Sequence, residues 1–374
     1  MFQNLSHGEH FAPSIEESTN KTLSFGSDMP PDEIMPDISV VICSHNPRPD
    51  HLRRTLDGLR AQTLSADRWQ LILIDNASTE PLADNCDLSW SPGSFVVIES
   101  ELGLTPARLR GIHESSAPLI VFVDDDNILS PDFLEQALAI ARRLPQLGVF
   151  GAGKLDPEFE RQPSPRMVPF LRRLALRSAP TEVWGNDLHN NDCCPYGAGL
   201  CVRREAATRY VELIGRIGVG AILDRKGQQL SSNGDDLFTW AAASLGQSFG
   251  VFPALRLTHL IAAGRVTPDY MVRLVRESRF SECLLYFLLG GERPRSSGLW
   301  MLVRVAKHLH KGFFDVRCRW AAARGEALAA NYVADKQLQP IESETLRVRF
   351  PHTSSCHPAA PHHQESEPAV CRKM

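Results

Sequence analysis

Leu119-Ile-Val-Phe-Val-Asp-Asp-Asp-Asn127 sets five apolar residues directly against three acids. An unbroken apolar run of this length is expected for a strand buried on both faces of a sheet, the usual state of a parallel strand. Three neighbouring carboxylates repel one another, and at the end of a buried strand that arrangement suits a divalent cation. The stretch therefore predicts both an element and the edge of the sheet where chemistry is to be sought.

Working outward, Ile38-Ser-Val-Val-Ile-Cys43, Trp69-Gln-Leu-Ile-Leu-Ile74 and Phe95 to Glu99 read as three further strands. Between them, Asp50 to Gln62 carries Leu52, Leu56 and Leu59 at helical spacing. Thr105 to Glu114 reads as a helix with Pro106 in its first turn, where a missing N–H costs nothing. Ser130-Pro-Asp-Phe predicts another helix start, with Ser130 as N-cap and Pro131 at the first helical position. Strands alternating with helices imply βαβ units and a mostly parallel sheet, whose ligands sit beyond the carboxyl ends of its strands. Three polar sets fall there: Ser44-His-Asn46-Pro, Asp75-Asn-Ala-Ser78 and the acidic triplet. Each alone also reads as a turn, a cap or a solvated loop.

The remaining composition narrows the class. The 374 residues are 43% hydrophobic and 22% charged, enough for a globular chain with a sizeable core. The net charge of -4 argues against a nucleic-acid binder. Neither G-x-G-x-x-G nor G-x-x-x-x-G-K-[ST] occurs, which argues against a nicotinamide dehydrogenase and a P-loop enzyme. Nine cysteines, an odd number without CxxC pairs, read as reduced thiols rather than a disulfide framework or zinc site. No apolar run reaches the ~20 residues of a membrane span, and the N-terminal sequence lacks the basic-then-apolar pattern of a secretory signal. Residues 1–37 and about 336–374 read as a disordered leader and tail by their Pro, Ser and acidic or His content.

Taken in order, Val40-Val-Ile-Cys-Ser-His-Asn46, Leu73-Ile-Asp-Asn-Ala-Ser78, Gly103-Leu-Thr-Pro-Ala-Arg108 and Val123-Asp-Asp-Asp126 resemble successive signatures of family-two glycosyltransferases. Tyr196-Gly-Ala-Gly-Leu-Cys-Val-Arg-Arg204 is similar to that family's glycine-containing acceptor-side loop, with Gly197 and Gly199. Gly234-Asp-Asp-Leu-Phe-Thr-Trp240 looks like its Glu-Asp motif, with Asp235 in place of the usual Glu. Any one of these is weak, whereas six in the family's order are strong together.

The resemblance, over about 38–265, implies a GT-A-like α/β catalytic domain and transfer of a sugar from a nucleotide-sugar donor, a UDP- or dTDP-sugar, with inversion; beyond it, 266–335 reads as a helical region. It implies that Ser44, Asn46, Asp75, Arg108, Asp124 and Asp125 bind the nucleotide sugar. Asp126, with His259 downstream, would hold Mg²⁺ or Mn²⁺, the cations that oxygen ligands favour. Asp236 would be the base that takes the acceptor proton, with Asp235 its competitor as the two titrate together. A glycan or lipid-linked acceptor, a role in polysaccharide biosynthesis and a cytoplasmic setting complete the expectation. Two rivals stand beside it: a nucleotidyltransferase on a related sheet, and a non-catalytic nucleotide-sugar-binding module.

One stretch lies outside these motifs. Leu302, Ala306, Leu309, Phe313, Val316 and Trp320 recur every three or four residues, with Arg304, Lys307 and Lys311 opposite. A basic amphipathic helix over 298–320 fits contact with the inner face of an anionic membrane. A helix packed on the domain with its charges in water fits slightly better, and Gly312 weakens the helix in the middle.

Overall fold

The computed structural model describes residues 35–188, 192–218, 220–227, 229–295 and 312–341. The sheet begins with β1 (Ile38–Ser44), helix α1 (Pro49–Arg60), β2 (Trp69–Asn76) and β3 (Phe95–Glu99). Helix α2 (Leu104–Glu114) leads into β4 (Leu119–Asp124), which breaks at the acids and resumes as the short β5 (Asn127–Leu129). Helix α3 (Phe133–Arg143) and the long strand β6 (Leu147–Phe159) follow. After the short β7 (Arg177–Ser178) and β8 (Val183–Gly185) come β9 (Leu200–Arg203), α4 (Arg204–Ile217), α5 (Gly220–Leu223) and α6 (Gly234–Ser244). Strand β10 (Ser248–Ile261) closes the sheet, and two long helices, α7 (Pro268–Leu288) and α8 (Phe313–Asp335), end the described chain.

The strand order is β3-β2-β1-β4-β9-β6-β10-β5, with β7 on β6 and β8 on β10. Strands β3, β2, β1 and β4 are mutually parallel, as are β6 and β10. Strand β9 enters antiparallel between β4 and β6, so the sheet is mixed rather than uniformly parallel. This α/β architecture agrees with the expectation.

The continuous apolar runs follow from two-sided burial. Val40 and Ile42 of β1, with Leu71 and Leu73 of β2, face one core together with Leu52, Leu56 and Leu59 of α1. Val41, with Ile72 and Ile74, faces the opposite core against α2, α4 and α6. The side-chain period of two thus demands an apolar residue at every position. Fully burying each Leu or Ile contributes roughly 1.5–3 kcal/mol before chain entropy is counted.

Several boundaries differ from the reading of the sequence. Helix α3 starts at Phe133 with Asp132 at its N-cap and no side-chain cap. Ser130 instead binds across to β10, its N–H donating to the Arg256 carbonyl. Pro131 serves a turn, and the expected cap is not one. Residues 336–341, read as tail, pack on the body: the Ile341 N–H donates to Leu288 O at 2.8 Å, and Leu338 and Ile341 lie against the second core. Helix α8 does not extend back through Gly312, which stands before it at φ +100°, outside helical space. Arg304, Lys307 and Lys311 lie outside the described residues.

Helices α7 and α8 cross closely. A stripe of Cys318, Ala321, Gly325, Ala329 and Val333 on α8 is buried. Gly325 is at the tightest point, where a Cβ would sit 2.2 Å from the Arg276 carbonyl oxygen of α7. Among the described residues no helix is long and apolar enough to cross a membrane.

Candidate active site

The carboxyl ends of β1, β2 and β4 lie side by side, in register Ser44↔Asp75 and Cys43↔Asp124. The three polar sets read from the sequence therefore meet at one edge. Asp75 is buried, and its two oxygens accept the N–H groups of Ser78 and Leu82 at 3.0 and 2.9 Å. Asn46, exposed at φ +47°, accepts the Thr79 N–H through its side-chain oxygen at 2.8 Å. Ser44 donates its hydroxyl to Asp125. Nearest the sheet, these residues build and brace the loops.

The acidic triplet is half-buried, and its members differ. Burial raises the Asp124 carboxyl, and the Asp126 charge adds to the rise. Burial and Asp126 push Asp125 up to about 7, against the Ser44 hydrogen bond. Burial would raise Asp126 as well, but the His259 imidazole and the Arg265 guanidinium hold it below the usual carboxylate range. Asp126 thus takes the negative charge that the cluster cannot give to all three.

Strand β10 brings these partners. It pairs antiparallel with β5 at His259↔Asn127, so the residue after the triplet fixes the imidazole beside it. His259 Nε2 is 3.4 Å from Asp126 Oδ2. Arg265 Nη1 lies 2.8 Å from the same oxygen and 3.0 Å from the same imidazole nitrogen. Arg225, exposed on the loop after α5, exerts its positive field on all three acids.

The donor set at this point suits a divalent ion: a carboxylate oxygen and an imidazole nitrogen converge from different strands. The Arg265 nitrogen occupies the space between them, so a cation held by Asp126 and His259 requires that guanidinium to withdraw. A second group of possible ligand atoms, Asp50, His51 and Glu160, is bridged by Arg48, which pairs with both acids.

The second pair of acids opens α6. Asp235 Oδ2 accepts the Gly197 N–H at 2.8 Å, tying the helix to the glycine-containing loop. At Gly197 a Cβ would meet Arg108 Nη2 at 2.8 Å, so a side chain there would displace the guanidinium. Gly199 has φ +68°, and a Cβ there would press on Leu257 and Phe133. Burial, with Asp235 next, pushes Asp236 up to about 8, against a hydrogen bond from Asn233. That bond, Asn233 Nδ2 to Asp236 Oδ2, is 2.5 Å. Ser281 of α7 donates to Asn233 Oδ1 at 2.6 Å and so fixes which end of the amide faces the acid.

Arg108 lies between the two acidic groups. It is buried and pairs with Asp224 at 3.0 Å, an acid that also accepts the Thr105 hydroxyl at 3.0 Å. Asp224, Arg225 and Arg265 were not singled out in the sequence. None of the three falls in a motif, and only the fold brings each to the site.

Residues 39–198 match the model of Glycosyl transferase family 2. EpsH of Bacillus subtilis is 30% identical over 108 residues, 28% of this chain and 30% of EpsH. The amylovoran biosynthesis glycosyltransferase AmsE of Erwinia amylovora is 26% identical over 155 residues, 40% of this chain and 53% of AmsE. The matches thus span about half or less of these relatives' lengths. Staphylococcus aureus TarS 1–349, solved in complex with UDP-GlcNAc, aligns with TM-score 0.45 and 13% identity over 80% of this chain and 92% of that chain. Residues 39–198, from β1 into the glycine-containing loop, thus form a family-two glycosyltransferase domain.

Proposed function

We propose that the protein is a metal-assisted, inverting glycosyltransferase that moves a sugar from a UDP- or dTDP-sugar to a hydroxyl of a glycan or lipid-linked acceptor. The observation that carries this reading is the meeting of Asp126, His259 and Arg265 at the sheet edge, with the Asp235–Asp236 pair joined to the acceptor-side loop through Gly197. The family domain favours this reading over a nucleotidyltransferase or a non-catalytic module.

In this reading the nucleotide lies over the ends of β1 and β2, near Ser44, Asn46 and Asp75, with the diphosphate toward Asp124–Asp126. Asp126 and His259 would hold Mg²⁺ or Mn²⁺, which when bound lends Lewis-acid stabilisation to the departing diphosphate, worth several kcal/mol. Arg265 then turns from Asp126 toward the diphosphate, and Arg225 approaches from the opposite loop. Guanidinium–phosphate bonds are charge-assisted and about twice as strong as neutral ones.

Asp236 takes the acceptor proton as the hydroxyl oxygen attacks the anomeric carbon on the face opposite the leaving group. Its raised affinity for protons suits a base working near neutral pH. Asn233 orients the carboxylate, and Asp235 holds the loop that lines the acceptor side.

The test combines saturation-transfer NMR over a panel of nucleotide sugars with turnover of the best donor by Asp236→Asn. Turnover should fall roughly 10²–10⁴-fold, the usual contribution of a positioned base, while UDP affinity by calorimetry stays within about twofold. Near wild-type turnover would remove Asp236 from the base role. Failure of every nucleotide sugar to bind would remove the donor class.

A further inference from the structure

The outer side of α7 faces α8 across a cleft of about 450 Å³. Its walls carry four guanidinium groups, Arg273 and Arg276 from α7 and Arg317 and Arg324 from α8, against one carboxylate, Asp269. Trp320, 43% exposed, forms part of the wall. None of these residues takes part in the transfer site described above.

The charges do not cancel locally. Arg317 pairs with Asp269 at 2.7 Å, and Arg276 with Glu277 at 2.7 Å. Among the described residues, Arg273 and Arg324 have no carboxylate partner. The Arg273 Nε is shut off from solvent and without a hydrogen-bond partner, and the guanidinium lies 5.9 Å from the Tyr270 ring centroid. The chain as a whole is acidic, with net charge -4, so this concentration of positive charge runs against its balance.

Two like charges held on facing helices repel each other unless an anion lies between them. The cleft is tied together by the close crossing at Gly325, with Arg273 on the α7 wall and Arg324 on the α8 wall. Paired guanidinium forks match tetrahedral phosphate oxygens, and an exposed indole offers an apolar face to the carbon skeleton that bears them. We propose that the α7–α8 cleft binds a phosphate-bearing anion from solution, through Arg273 and Arg324, at a site separate from the donor site.

The site's position gives it a use. Helix α7 begins at Pro268, three residues after Arg265, and its inner face holds the base helix through Ser281 and Asn233. A phosphorylated chain seated in the cleft therefore rests on the same helix that orients Asp236. The binding inference stands without the transfer reading and is tested without turnover.

The experiment is calorimetric titration of tripolyphosphate into the full chain in chelator, with wild type, Arg273→Gln/Arg324→Gln, and Arg225→Gln. Tripolyphosphate binding to wild type should contain a component that the cleft double variant weakens at least about tenfold and that Arg225→Gln leaves unchanged. Thermal unfolding checks that the double variant folds, and Arg273→Lys/Arg324→Lys should restore part of the affinity. Equal tripolyphosphate affinity in wild type and the folded double variant overturns the proposal. A parallel arm cosediments the protein with vesicles of phosphatidylcholine alone or with phosphatidylglycerol. Cleft-dependent binding to the anionic vesicles with none to tripolyphosphate would assign the arginines to a membrane surface and equally overturn it.

Discussion

The first half of the chain brings the acidic triplet to the sheet edge, and the second half brings the groups that compensate it. Asp124, Asp125 and Asp126 stand at the end of a strand that the sequence announces. The imidazole of His259 and the guanidinium groups of Arg225 and Arg265 arrive about one hundred residues or more later, from a loop, the end of β10 and the turn beyond it. The one arginine of the early motifs, Arg108, is matched to Asp224 of the later half. The site is thus an electrostatic joint between two segments, and neither half is chemically complete alone.

The sharpest way to break this comparison is to remove Arg108. If its main task is to neutralise Asp224, Arg108→Met leaves a buried charge unmatched and should cost roughly 3–5 kcal/mol in urea unfolding. Arg108→Met/Asp224→Leu should recover much of that loss. A stable single variant with impaired UDP binding would place Arg108 on the nucleotide instead.

Next in size is the pH response of the second acidic pair. Asp236 is raised to about 8, so in the free enzyme the base is increasingly ionised as pH climbs through that value. The kcat/KM for transfer should rise with pH to a midpoint near 8, the parameter that reports free-enzyme groups. Asp235→Asn removes a charge that helps raise it and should move the midpoint downward. Stability runs the other way. An acid whose folded-state affinity for protons is raised is harmless below its unfolded value near 4 and destabilises progressively as pH climbs toward 8. Asp236→Asn should therefore unfold at a higher temperature than wild type at pH 8, with the gap closing toward pH 4.

A smaller effect is expected at the joint itself. With Arg265 drawn off Asp126, the ion no longer competes with a resident cation. Arg265→Gln should tighten nucleotide-free Mn²⁺ binding about tenfold by electron paramagnetic resonance, equal to about 1.4 kcal/mol. Unchanged Mn²⁺ affinity would mean that Arg265 does not block the ion. Smallest is Ser130→Ala: because this serine caps no helix, unfolding free energy should change by under about 0.5 kcal/mol, against about 1 for a true cap.

The same two halves differ in how much their sequence reveals. Strands β1, β2 and β4 are buried on both faces, so their apolar runs stand out and their ends could be located within a residue or two. The Asp-rich and glycine-containing motifs were visible because they are contiguous. Strand β6 was not legible, because Gly148, Gly151 and Gly153 interrupt its apolar pattern and its outer half is exposed. Helix α8 is lined by Ala, Cys and Gly rather than large residues, so its buried stripe carries little signal. Arg265 and Asp224 were invisible for a different reason: their partners are 139 and 116 residues away, and only the register of β10 against β5 and the packing of α2 create the contacts.

Calorimetry of UDP tests whether Asp126 of the first half and His259 of the second hold one cation at the donor site. The titration is made in chelator and in Mn²⁺, on wild type, Asp126→Ala and His259→Ala. Mn²⁺ should strengthen UDP binding to wild type by at least about tenfold, and each substitution should abolish most of that gain. Equal UDP affinity with and without Mn²⁺ in wild type, or a full gain in either variant, would contradict it.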